Sequence, residues 1–245
     1  MHLLCSSICG QLKTIHVYVA LCDNEFQGIV PVSSSLGDGK NPDTNLYWGA
    51  AFGVRSFFKN KTSEWELVSS IKTQNANILD RQLFKHVSKN VYMLADAYDG
   101  EEIKSCIEDF LLASNENLKD SVTYKDKVIH IGGRADLVAY VGHNGLMDFN
   151  VDVAYSENSI MQKDAIILAC YSKEYFSPEL SNTKANPILW TTHLMAPEAY
   201  TLNAAITGWL NNETGHDIEE QAAQVYNHYQ KCGIKGARNL FTTGY

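Results

Sequence analysis

The 245-residue chain has no apolar run approaching the ~20 residues needed to cross a bilayer, which excludes a bilayer-spanning helix. It has no cluster of lysine and arginine. With 20 basic against 28 acidic residues the net charge is −8, so a surface built for nucleic-acid phosphates is not expected. No CxxC pair occurs. The six cysteines (Cys5, Cys9, Cys22, Cys106, Cys170 and Cys232) are scattered apart from the first two, against both a zinc ribbon and a small disulfide-stapled fold. His16, His86, His130, His216 and His228 show no ligand spacing, so neither a metal site nor another cofactor is expected. Internal repeats and low-complexity linkers are also missing. What remains is 45% hydrophobic and 20% charged, the composition of a globular chain long enough for one sizeable domain.

The first ten residues, MHLLCSSICG, are small and apolar and precede Gln11. They read as the end of a secretory signal peptide cleaved before Gln11, although the basic leading segment is missing; a frayed arm is the alternative. A signal would make the protein secreted or periplasmic and remove Cys5 and Cys9, and without one it is cytoplasmic. Residues 11–245 then form a single domain.

Along the chain, apolar strands alternate with helices. Residues 15–22 (IHVYVALC) form a β-rich run ending at Asp23-Asn24, a buried strand. Residues 31–45 are rich in Gly, Ser, Pro and Asp and read as a loop of the kind that carries function. Residues 46–59, with Trp48, Phe52 and Phe57, read as a helix whose Tyr47 and Trp48 are core. Residues 64–71 are a weaker strand and 91–97 a strong one. In 101–113, Ile103, Cys106, Ile107, Phe110 and Leu111 make one apolar helical stripe. Further strands fall at 136–142, 164–169 and 187–192. A helix after Pro197 carries the stripe Leu202, Ala205, Ile206, Trp209 and Leu210, and a last helix at 217–231 is closed by Gly233. Strands separated by helices, without tight hairpin signals, predict an α/β sandwich with a parallel sheet covered on both faces.

In such sheets ligands bind outside the carboxyl ends of the strands. The third strong strand ends in Gly142-His143-Asn144-Gly145 and the fourth in Ala169-Cys170-Tyr171-Ser172. Adjacent parallel strands lie ~4.8 Å apart, so a histidine and a cysteine on neighbouring tips can face each other. The glycines beside His143 let substrate approach closely, and a histidine activates a neighbouring thiol as a nucleophile. The plain alternatives are a hydrogen-bonded structural histidine and a buried small thiol.

The paired segments DLVAYVGHNG (136–145) and DAIILACYS (164–172) resemble the caspase-like cysteine peptidases, the superfamily of caspases, legumains, clostripain, gingipains and CHAT domains. The strand-then-helix segment PILWTTHLMAPEAYTLNAAITGWL (187–210) is similar to the one after the cysteine in CHAT and clostripain-like members. The resemblance covers roughly 136–210. It implies a three-layer sandwich with a mostly parallel central sheet, and a peptide or protein substrate hydrolysed by Cys170 as nucleophile and His143 as base. Backbone N–H groups of Cys170 and of the Asn144-Gly145 turn would hold the oxyanion. The sequence departs from the family in having His-Asn-Gly for His-Gly, and in an interval from His143 to Cys170 too short for a full crossover helix.

Asp23 and Asp96 or Asp99 end the first two strong strands. At the cleft they would select a basic side chain before the scissile bond, as in clostripain and gingipains; otherwise they are turn residues. Asp148 is placed to orient His143 or line the pocket, and His193 is a rival base. An inactive peptide-binding module and a small-molecule α/β hydrolase are the competing functions. The 31–45 and 177–187 segments are the expected cut points if the protein is made as a zymogen.

Overall fold

A computed structural model describes residues 11–156 and 162–245; the signal-peptide reading of residues 1–10 lies outside the described residues. In chain order the elements are β1 (Lys13–Ala20), α1 (Val54–Asn60), β2 (Trp65–Ser70), β3 (Ile78–His86), β4 (Val91–Tyr98), α2 (Ile103–Ser114), β5 (Lys119–Tyr124), β6 (Lys127–Gly132), β7 (Leu137–Val141), β8 (Asp164–Leu168), α3 (Ser172–Thr183), β9 (Asn186–Thr191), α4 (Ala199–Leu210), α5 (Gly215–Gln230), α6 (Ile234–Leu240) and β10 (Phe241–Thr242). Eight strands form one sheet in the order β10-β9-β8-β7-β1-β4-β3-β2, and β5 and β6 pair separately. The five central strands β9, β8, β7, β1 and β4 are parallel; β3, β2 and β10 are antiparallel to their neighbours.

The alternation of a strand's side chains decides which layer each residue joins. Ile15, Val17 and Val19 of β1 pack with α1, α4, α5 and α6 on one face. Tyr18 and Ala20 pack with α2 and α3 on the other. The β5–β6 hairpin covers the second face farther along, where Val122, Ile129 and Ile131 meet Leu83, Tyr92 and Leu94. Both faces of β1 are therefore covered, which explains its unbroken apolar run; each fully buried Val or Ile contributes roughly 1.5–3 kcal/mol.

His16 is a buried polar residue within the apolar run of β1. Its Nδ1 accepts from the Gly132 N–H at 3.1 Å, and its Nε2 donates to Asp96 Oδ2 at 2.9 Å. Arg81 completes the group with two bonds of 2.7 Å to the same carboxylate. This buried cluster ties β1, β4, β3 and the hairpin together.

Three expectations change. The helix predicted at 46–59 is confined to Val54–Asn60, because the buried Asn45 side chain captures the preceding backbone. Its Oδ1 accepts from the N–H groups of Cys22 and Tyr47, and its Nδ2 donates to the carbonyls of Cys22 and Asp38. The sheet is mixed, since β2–β3–β4 is an antiparallel meander and the polar 114–135 stretch contains a hairpin. Gly233 does not cap the long C-terminal helix: Lys231 does so in left-handed conformation, and Gly233 leads into α6. The start of α5 follows its sequence closely, with a capping box between Thr214 and Asp217.

Candidate functional site

The carboxyl ends of β1, β7, β8 and β9 surround a cavity of about 450 Å³ whose wall includes Cys22, His143, Cys170 and Met195. It lies beside the point where the chain runs from β1 to β4 on one side and adds β7 on the other, the position at which open α/β sheets form crevices. The wall is mostly apolar, and three of the nine exposed large hydrophobic side chains of the described residues, Val30, Met147 and Leu194, lie at this cavity.

His143 follows β7 directly. Gly142 before it has φ of 156°, and a Cβ there would meet the Ala20 carbonyl oxygen at 3.0 Å, so the turn into His143 requires glycine. The Tyr140 hydroxyl donates to the His143 carbonyl at 2.7 Å. The imidazole is 8% exposed, and its Nε2 lies 2.6 Å from Asp148 Oδ2. Asp148 follows a short 3-10 turn, Gly145–Met147, started by the Asn144 side chain accepting from the Leu146 N–H. Beyond it Phe149, Val151, Val153 and Tyr155 pack on the α2–α3 layer. No α-helix occurs among the described residues between His143 and β8, in keeping with the short interval.

Cys170 lies in the turn between β8 and α3, and contacts from several elements hold that turn. Asn144 Nδ2 donates to the Cys170 carbonyl at 2.6 Å, linking the two strand tips. Tyr171, in left-handed conformation (φ 48°), donates its N–H to the His193 carbonyl at 3.0 Å. Ser172 Oγ donates to the Ile167 carbonyl and accepts from the Thr191 N–H, while Thr191 Oγ1 donates to the Ala169 carbonyl. The sulfur accepts from the Met195 N–H at 3.4 Å, and the thiol donates to the Met195 carbonyl at 3.6 Å. These contacts fix the position of the Cys170 side chain on its turn. Cys170 is partly exposed, whereas Cys22 and Cys106 are buried and Cys232 is exposed. Burial pushes the Cys22 thiol up to about 11 and the Cys106 thiol well above its ordinary range, so both stay protonated at neutral pH.

The N–H groups of Cys170 and Asn144 have no hydrogen-bond partner among the described residues. Gly145, expected to share the oxyanion, instead donates its N–H to the His143 carbonyl at 3.2 Å and is a structural residue of the turn.

The other expected pocket residues lie elsewhere, and none of them is in the cavity wall. Asp23 is a buried turn residue whose Oδ1 accepts from the N–H groups of Glu25 and Phe26. Asp96 belongs to the His16–Arg81 cluster. Burial alone would raise its carboxyl, and the bonds from His16 and Arg81 outweigh this and hold it below the usual range. Asp99 caps a short 3-10 turn through the Glu101 N–H, and burial raises its carboxyl. The His193 ring is exposed, with Nδ1 at 2.7 Å from Thr192 Oγ1.

The structure adds wall residues that the sequence reading passed over. Ile29, Val30 and Val32 follow β1; Leu194, Met195 and Glu198 follow β9; Gln230 ends α5. The strand-end rule that drew attention to His143 and Cys170 applies equally to β1 and β9 and would have found the first two groups.

No family model, curated protein or solved structure matches the chain. Among the described residues no group of three or more His, Cys, Asp or Glu side chains is placed to hold a metal ion, and no helix is long and apolar enough to cross a membrane.

Proposed function

We propose that the protein is a caspase-like cysteine endopeptidase with Cys170 as nucleophile and His143 as general base. One observation carries the reading: the thiol and the imidazole stand on the tips of adjacent parallel strands and line the same apolar cavity, and a carboxylate holds the imidazole. The parallel strand order, with histidine after β7 and cysteine after β8, supports the caspase-like form.

Asp148 accepting from Nε2–H leaves Nδ1 as the basic nitrogen. The Cys170 proton passes to Nδ1, and the sulfur attacks the scissile carbonyl carbon. The oxygen of the tetrahedral intermediate gathers negative charge beside the free N–H groups of Cys170 and Asn144. Collapse expels the amine, which takes the proton from His143, and leaves a thioester. Water, deprotonated by His143, attacks the thioester; the acid leaves and the thiol is restored. The apolar rim of Val30, Met147 and Leu194 provides a surface on which an extended peptide rests.

A non-catalytic peptide-binding module is the second reading, favoured by the thiol donating to the Met195 carbonyl. Fluorogenic peptides varied at the residue before the scissile bond decide between them. The peptidase reading expects cleavage by the wild type and none by Cys170→Ala, while no cleavage of any peptide by the wild type supports the binding module.

A further inference from the structure

The inner wall of the cavity is an extension of the main core. Ile29, Val32, Leu46 and Met195 line it and pack against the buried residues of the first sheet face. Val30, Met147 and Leu194 carry the same apolar surface out to the mouth, where Val30 is 87% exposed. Among the described residues no lysine, arginine, aspartate, asparagine, serine or threonine lines the cavity, and His143 is its one basic side chain. The few remaining polar groups are already engaged. The Tyr47 side chain is buried, and its hydroxyl interacts with the Cys22 thiol. Burial raises the phenol well above its ordinary range and the thiol to about 11, so both are neutral at pH 7. Glu198 is the single carboxylate, and its Oε2 accepts from the Tyr200 hydroxyl at 2.7 Å and from Gln230 Nε2 at 2.8 Å. Gln230 is exposed, so this pair stands at the open rim and not on the inner wall.

We propose, resting on the peptidase reading, that this cavity is the receptor for a large apolar side chain, leucine, methionine or phenylalanine, before the scissile bond. The wall stands next to the reacting atom, since the Met195 N–H lies 3.4 Å from the Cys170 sulfur. A cavity of about 450 Å³ has room for such a side chain. A charged or amide side chain entering it would give up water without finding a fixed partner. No inner carboxylate awaits an arginine, and no set of donors awaits an aspartate or asparagine. An apolar side chain loses no hydrogen bond there and removes both its own surface and that of Leu46 and Met195 from water. The selection of a basic side chain, expected from Asp23, Asp96 or Asp99, has no counterpart here, because none of the three lines the cavity.

Two measurements test this. Peptides with Leu, Met, Phe, Arg, Asp or Asn before the scissile bond are compared by kcat/KM on wild type, Leu46→Glu and Val30→Glu, with thermal unfolding as a check on folding. Val30 is exposed, so its replacement serves if the partly buried Leu46→Glu does not fold. Wild type prefers the best apolar peptide over Arg, Asp and Asn by at least about tenfold, a difference of about 1.4 kcal/mol. A glutamate in the wall lowers the ratio of the Leu to the Arg peptide by at least about threefold, the effect of one partly exposed charge. Cleavage by wild type that favours Arg, Asp or Asn, or a ratio unmoved in a folded glutamate variant, overturns the receptor while leaving the peptidase standing. If wild type cleaves nothing, binding of N-acetyl-leucinamide and N-acetyl-argininamide to Cys170→Ala is followed by NMR through the Met147 and Met195 methyl groups. Shifts caused by the leucine compound and not by the arginine compound support the receptor, and only the peptidase reading fails. Absence of such selective shifts overturns the receptor.

Discussion

Asn144 is the tie between the two strand tips, and its replacement separates a hydrogen-bond account of the site from a packing account. The side chain is fully buried, donates from Nδ2 to the Cys170 carbonyl at 2.6 Å and accepts at Oδ1 from the Leu146 N–H at 3.2 Å. Asn144→Ala removes both bonds, each with a net value near 1 kcal/mol, for a loss of about 2 kcal/mol. For a chain of this size that lowers Tm by about 4–8 °C. Asn144→Asp keeps the shape and volume but turns a carboxylate oxygen toward the Cys170 carbonyl, placing two acceptors against each other in a buried position. The aspartate variant should therefore be less stable than the alanine variant, although it leaves no cavity; a packing account predicts the reverse. Thermal unfolding by circular dichroism at pH 7 reads the order. A stability of Asn144→Asp equal to wild type, or above Asn144→Ala, would refute the reasoning.

Two further predictions concern the frame around the site. Bonds from His16 and Arg81 outweigh burial and hold the Asp96 carboxyl below its ordinary value of 3.8, so this contribution is fully present above that value and is lost as pH falls through the lower, folded-state value. Asp96→Asn should lose about 3–5 kcal/mol at pH 7 by breaking the buried pair, and urea titrations between pH 2 and pH 5 should show a shallower acid decline than wild type. Gly39→Ala should cost about 1–3 kcal/mol by overpacking, because its Cβ would overlap the Asp23 carboxylate, in a turn that also holds the Glu25 and Phe26 N–H groups; urea unfolding with no change in midpoint would show that the turn yields freely.

The central strands were legible in the sequence because parallel strands covered on both faces must be apolar throughout, as 15–22, 91–97 and 164–169 are. The helix α2 was legible from one stripe. The edge of the sheet was not. In β3, Asp80, Arg81, Gln82 and Lys85 interrupt the apolar pattern, because Arg81 enters the buried ion cluster while Asp80 accepts from the Trp48 indole. The α3 helix was hidden by its polar composition and by Pro178, and was read in part as a 177–187 loop; residues up to Thr183 are helical, which removes most of that segment as a cut point. At the site, the strand-end rule singles out His143 and Cys170 and draws in the acidic residues at the ends of β1 and β4, while it passes over Glu198 beyond β9. What separates them is whether each carboxylate caps its own turn, as Asp23 and Asp99 do, or stands in the cavity wall, which depends on contacts remote in sequence.

The most direct test of the catalytic reading is the rate at which each cysteine is alkylated. Cys232 is exposed and Cys170 only partly so, so exposure alone makes Cys232 the faster. Activation by His143 predicts the opposite order: in limiting iodoacetamide at pH 7, resolved by peptide mass spectrometry, Cys170 should react about tenfold faster than Cys232. His143→Ala should slow Cys170 and leave Cys232 unchanged. Cys170 labelled more slowly than Cys232, or at a rate indifferent to His143→Ala, would contradict the account.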